Sequence, residues 1–211
     1  WQRQFWATGS TVCHNKTSIA APTPVTDGRR LFAIFSSNDL FCLDLDGNLQ
    51  WLRGMTLDYP NARNSLGMAS SLVLAGGVLV AQVENDSESF TAGLDKQNGV
   101  NLWRVDRPKS ANWTTATVQK TGSGAEMLLL QSGRGIHAVN PKNGEVAWHY
   151  ADGALTANAV YTEAAAPGWA CGRALMQRNN IIIDVNTCSA NPGDTARRLA
   201  DQIATKVDAA W

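Results

Sequence analysis

Groups that carry charge, move protons or hold metal ions are sparse in this chain, and their spacing concentrates none of them. The three histidines, His14, His137 and His149, fall in a loop and two strand-like stretches, with no spacing that gathers them on a metal. Asp44, Asp46 and Asn48 alternate around a turn in the manner of a calcium loop, but the later bidentate Glu of that motif is missing. The run VENDSES, Val83 to Ser89, places Glu84, Asp86 and Glu88 close together. It reads as a solvated connecting loop. Gly76–Gly77 and Gly122/Gly124 punctuate hairpins, lacking the Lys and following helix of a phosphate cradle. Ser10, Ser71 and Ser132 lie outside any nucleophile motif. No catalytic, cofactor-binding or metal-binding residue is therefore expected. The sequons at Asn15, Asn85 and Asn112 serve only as loop markers.

Composition narrows the class further. The 18 Lys plus Arg balance 18 Asp plus Glu over 211 residues, which argues against a nucleic-acid tract or a polybasic membrane face. No apolar run reaches the roughly 20 residues of a membrane span. The four cysteines, Cys13, Cys42, Cys171 and Cys188, allow three complete pairings.

The scaffold is legible in an internal repeat. DLDGNLQWLR, DKQNGVNLWRV and NPKNGEVAWHY align on Gly47, Gly99 and Gly144, each followed four positions later by Trp51, Trp103 and Trp148. The glycines lie 52 and 45 residues apart, near the period of four-stranded propeller blades. Short turn-bounded strands precede each copy, such as RRLFAIF with LFCLDL and GVLVAQV with SFTAGLD. An Asp or Asn ends one strand, Gly supplies the left-handed turn conformation, and the next strand carries a Trp that packs between blades.

Over roughly residues 6–153 this pattern resembles the pyrroloquinoline-quinone-like β-propeller repeat. The resemblance implies a mainly β fold with three to four blades of four-stranded antiparallel sheet. The quinoprotein dehydrogenases of that superfamily use bound Ca²⁺, a catalytic Asp and a disulfide between adjacent cysteines. No two cysteines are adjacent here, so neither quinone nor Ca²⁺ is expected. Strands in ALTANAVYTE are candidates to begin a fourth blade.

The repeat stops after Gly153, dividing the chain into blades at 1–153 and a different ending at 154–211. Residues 171–178 and 181–188 read as strands joined by Asn179–Asn180, a register that sets Cys171 opposite Cys188 at a non-hydrogen-bonded site suited to a disulfide. Cys13 and Cys42 have no register that pairs them. Ala174, Met176, Ile181, Ile183 and Val185 share one face of the hairpin. A helix capped by Asn191, with Pro192 in its first turn, covers that face through Ala196, Leu199, Ala200, Ile203 and Val207. This ending, about 168–211, resembles the close of the extracellular sensor domains of actinobacterial receptor Ser/Thr kinases. The hairpin is a candidate to complete a last blade.

The candidate ligand face comprises Asp58, Tyr59, Asn61, Arg63 and Asn64 with Trp113. The expected function is a non-enzymatic extracytoplasmic binding or scaffold domain for a protein, peptide or carbohydrate, with self-association if the ring is incomplete. The resemblance and the expected disulfide set the periplasmic or secreted location. Alternatives are a kinase ligand sensor, a quinone-dependent oxidoreductase, and a recombined or artificial chain with no evolved function.

Overall fold

The computed structural model describes residues 1–62, 67–150, 170–178, 181–189 and 194–209. Three four-stranded antiparallel sheets follow one another along the chain. The first blade holds β1 (Val25–Thr26), β2 (Arg30–Ile34), β3 (Asp39–Asp44) and β4 (Leu49–Gly54), followed by the short helix α1 (Met55–Asp58). The second holds β5 (Val73–Ala75), β6 (Val78–Val83), β7 (Phe90–Leu94) and β8 (Asn101–Asp106). The third holds β9 (Thr117–Lys120), β10 (Glu126–Ser132), β11 (Gly135–Val139) and β12 (Val146–Tyr150). The expected blades are thus present as three sheets; ALTANAVYTE lies outside the described residues.

The strand β6 shows why the blades stack. Every residue of its VLVAQV sequence is buried. Side chains alternate between the two faces of a strand, so such a run needs cover on both sides. Leu79, Ala81 and Val83 pack with Phe32 and Leu40 of the first blade. Val78 and Val80 pack with Leu128, Leu130 and Val139 of the third. Each large aliphatic side chain buried in this way contributes about 1.5–3 kcal/mol.

The third and fourth strands of all three blades share a register shift, at Cys42/Leu43, Gly93/Leu94 and Ala138/Val139. The intervening turn then closes onto its opening Asp or Asn: Gly47 N–H donates to Asp44 O, Gly99 N–H to Asp95 O and Gly144 N–H to Asn140 O. The three glycines have φ of +81°, +73° and +77°, the left-handed conformation that side chains with a Cβ resist.

The chain divides into two compact units, residues 1–118 with 126–158, and 119–125 with 159–211. In the second, β13 (Ala170–Arg178) and β14 (Ile181–Ser189) form a two-stranded sheet, and α2 (Thr195–Ala209) packs across both strands. The register pairs Cys171 with Cys188, as the two-residue connection dictates. The side chains of both cysteines lie outside the described residues, and no disulfide is found among those described. Cys13 and Cys42 are free thiols, and burial pushes Cys42 up to about 11.

Ile183 and Val185 are buried, as are Ala196, Leu199, Ala200 and Val207 of α2. The described part of the helix starts at Thr195, and Asp194 O accepts from Arg198 N–H. Asp194 also forms an i,i+4 ion pair with Arg198. Asn191 and Pro192 themselves lie outside the described residues. Further along, Ala204 is buried while Ile203 is partly exposed, because the inward stripe runs through 196, 200, 204 and 207.

Candidate functional site

The repeat Trp residues join each blade to the next. Trp51 lies against Gly99, where an added Cβ would come within 2.9 Å of the ring, and its indole N–H donates to Lys96 O at 3.0 Å. Trp103 lies against Gly144 in the same way and donates to Pro141 O at 2.8 Å. Each acceptor directly follows the Asp or Asn that opens the turn. Trp1 repeats the arrangement on the first blade, with its ring on Gly47 and its N–H donating to Leu45 O at 2.9 Å. The residue two positions further adds a second contact. Arg3 donates to Gly47 O, Arg53 donates to Gly99 O and Asn101 Oδ1, and Val105 packs beside Gly144.

The two described junctions between blades differ beyond this shared dock. At the first, α1 carries the chain to Tyr59, whose ring packs on Phe90 at 4.6 Å between centroids. The Tyr59 hydroxyl accepts from Asn101 Nδ2 at 2.8 Å, and the Arg104 guanidinium stands 4.9 Å from the ring centroid. Tyr59 therefore plugs the junction.

At the second junction no described residue forms such a plug. Pro108 occupies the position corresponding to Thr56, the second residue of α1. A residue preceding proline is driven from the helical conformation, so no helix like α1 follows β8; Arg107 N–H donates to Ser89 O just as Met55 N–H donates to Asn38 O in the first blade. A cleft of about 330 Å³ remains, walled by Val105, Val139 and Val146 and bordered by Arg134, His137 and His149.

Arg107 and His137, which line the cleft, belong to a polar network. Arg107 donates to Glu84 Oε1 at 2.6 Å, with both side chains 2% exposed or less. Asn112 Nδ2 donates to Glu84 Oε2 and to Gln131 O, each at 2.7 Å. Arg107 reaches the carbonyls of Leu130 and Gln131 in the third blade and lies 3.0 Å from His137 Nδ1. Because guanidinium only donates, His137 Nδ1 accepts, and a neutral ring carries its proton on Nε2. His137 stacks on its cross-strand partner His149, 5.8 Å between centroids.

Burial first, then the charges of Arg107 and His149, hold the His137 pKa below its ordinary 6.5. The unfolded chain then binds the proton more readily than the folded one. Stability is accordingly complete above pH 6.5 and falls as the pH drops through 6.5 toward the depressed folded value. Urea midpoints measured across this interval should show that decline, and His137→Gln should reduce its slope. An unchanged slope contradicts the assignment.

A sequence model of the family described as outer membrane protein assembly factor BamB matches residues 2–189. The chain belongs to the BamB family. Serine/threonine-protein kinase PknH of Mycobacterium bovis is 24% identical over 213 residues, covering 96% of this chain and 35% of the kinase. PknH of Mycobacterium tuberculosis (strain CDC 1551 / Oshkosh) is 25% identical over 201 residues, covering 90% and 31%. This BamB-family chain thus spans about a third of the length of its kinase relatives, and the kinase match extends beyond the C-terminal ending across blades and ending together. Among solved structures, the quinohemoprotein alcohol dehydrogenase from Comamonas testosteroni superposes with a TM-score of 0.52 at 12% identity, over 85% of this chain and 33% of that one. BamB from Moraxella catarrhalis matches with a TM-score of 0.42 at 14% identity, over 63% and 36%. The shared fold with the first confirms the propeller blade.

The residues read as a ligand face are distributed differently by the structure. Asp58 forms an ion pair with Arg53 at 2.7 Å, and Tyr59 shares the junction with that same Arg53. Trp113 is anchored apart from them by its indole N–H on Gly67 O at 3.0 Å. Asn61 is exposed in the turn after Tyr59, and Arg63 and Asn64 lie outside the described residues. The VENDSES run is not a solvated acidic loop. Glu84 is buried on Arg107, Asp86 accepts from Ala111 N–H and Glu88 pairs with Arg104, so its three carboxylates are committed separately. Asn85 and Asn112 of the sequons are buried.

The family's fold relatives raise the question of a quinone with Ca²⁺. Among the described residues the buried carboxylates of Glu84 and Asp39 bind Arg107, Thr8 and Ser37, and no cluster of three His, Cys, Asp or Glu able to hold a metal occurs. No helix among those residues is long and apolar enough to cross a membrane.

Proposed function

We propose that this chain is a non-enzymatic extracytoplasmic binding domain whose partner is a protein segment. The observation that supports it most is the cleft between the second and third blades, an apolar-walled hollow bordered by the polar network of Arg107 and His137, where the preceding junction is plugged by Tyr59. Small, largely preformed hollows with a few fixed polar groups are suited to recognition. Arg107 and Glu84 satisfy each other, which leaves them as supports of the cleft rather than as an acid and base. The reading includes neither pyrroloquinoline quinone nor Ca²⁺.

Export would oxidise Cys171 and Cys188, whose backbone register brings them opposite one another. Protein recovered from an oxidising compartment should be lighter than the reduced chain by two hydrogens, with the link mapping to these residues. A free thiol at both positions contradicts it.

A second reading is favoured by the PknH match across 96% of the chain: a ligand-sensing segment of a receptor Ser/Thr kinase. In that case the complete gene encodes a kinase domain and a membrane span, and a bound peptide changes autophosphorylation.

The direct test probes a peptide array with folded, oxidised protein and titrates the hits in solution. Saturable one-to-one binding is expected. Sustained dye-coupled oxidation of alcohols or sugars on addition of pyrroloquinoline quinone and Ca²⁺ would contradict the non-enzymatic reading.

A further inference from the structure

The repeat register identifies what the open cleft is shaped to receive. Tyr59 at the first junction touches Arg53, Asn101, Arg104 and Phe90. Their repeat counterparts at the second junction are Val105, Val146, His149 and Gly135, and the first three line the cleft. The fourth is a glycine, which adds no side chain to fill it. The cleft therefore stands where the internal Tyr59 ring stands one blade earlier, and its 330 Å³ has room for one aromatic side chain.

One substitution within this frame and one charge define the preference. Asn101, which donates to the Tyr59 hydroxyl, is replaced by Val146, which offers no hydrogen bond to a phenol. An unsubstituted phenyl ring avoids leaving a hydroxyl unpaired there. The cleft also presents a cation. Arg107 is neutralised by Glu84 and the exposed Asp106 shares Arg104 with Glu88, while Arg134 lines the cleft without an ion-pair partner among the described residues. Arg134 is exposed, as is His149, so an incoming carboxylate meets a cation without first being buried.

From this geometry we infer that the cleft between the second and third blades binds a phenylalanine side chain of a partner peptide, with an adjacent Asp or Glu paired to Arg134. The inference rests on the binding-domain reading and adds the chemistry of the ligand. The ring takes the place of Tyr59, between Val105 and Val146 and beside His149, and the carboxylate fixes the direction of the peptide.

The test is fluorescence anisotropy with full-length oxidised protein and four labelled hexapeptides that differ only at the central pair: Phe-Glu, Tyr-Glu, Ala-Glu and Phe-Lys. Phe-Glu is expected to bind saturably, Tyr-Glu more weakly, and Ala-Glu about ten- to a hundred-fold more weakly, the value of burying one phenyl group. Arg134→Glu should reverse the preference between Phe-Glu and Phe-Lys. Val146→Trp, a change at an exposed strand position, should fill the cleft and abolish binding with the melting temperature retained. Equal affinity for Phe-Glu and Ala-Glu, or no binding of any of the four to the folded protein, overturns the inference. Array peptides that bind without this pair would leave the binding-domain reading standing while the cleft assignment falls.

Discussion

Replacing Arg107 with Ala should lower the unfolding free energy by about 3–5 kcal/mol, among the largest effects of any single substitution in the chain. The side chain is buried and is bonded to Glu84 of its own blade and to backbone carbonyls of the next. Its removal leaves the Glu84 carboxylate buried against Asn112 alone, and an uncompensated buried charge is far costlier than the pair itself is stabilising. The paired substitution Arg107→Met with Glu84→Gln should recover most of the loss, since it removes both charges. Urea denaturation of the two variants decides the matter. An Arg107→Ala midpoint equal to that of the wild type contradicts the network.

Trp103→Ala should cost a similar amount, about 3–5 kcal/mol, because it removes a large buried ring and leaves a void between blades. Trp103 is 8% exposed, packs on Gly144 and Gly93, and donates to Pro141 O. Trp1→Ala, in contrast, changes a residue that is 66% exposed and should have a much smaller effect. Gly144→Ala attacks the same dock from the other side, since its Cβ would meet the Trp103 ring at 2.8 Å while φ is +77°. Thermal melts of these three variants should rank Trp103→Ala and Gly144→Ala well below Trp1→Ala. Equal melting temperatures for all three would show that the Trp-on-glycine contacts do not hold the blades together.

The blades were readable because their physics is local and periodic. Gly47, Gly99 and Gly144 mark turns that need positive φ, and the Trp four residues later keeps one register throughout. The apolar run of β6 likewise foretells burial on both faces. The Cys171–Cys188 pairing follows from counting away from a two-residue connection. Trp1 was legible but easily overlooked: Trp1-Gln2-Arg3 matches Trp51-Leu52-Arg53, and Arg3 and Arg53 make corresponding contacts with the glycine carbonyls.

The candidate site was harder to read, for reasons specific to its residues. Glu84 and Arg107 are 23 positions apart, and such a pair leaves no periodic trace. Glu84 therefore resembled its acidic neighbours in a loop. His137 and His149 meet only through the register of β11 with β12. Tyr59 belongs to the expected ligand face, but in the structure it closes one junction. The cleft at the next junction lacks a plug among the described residues, and a sequence signal for it is Pro108, at the place of the second residue of α1 in the preceding blade.

The most direct test of the account is methyl NMR of the folded, oxidised chain during titration with the Phe-Glu peptide. The methyl groups of Val105, Val139 and Val146 should shift together and saturate at one equivalent, while those of the exposed Leu45 and Leu57 stay in place. Saturating shifts confined to Leu45, Leu57 or other surfaces, with the three valines unmoved, would contradict the cleft as the binding site.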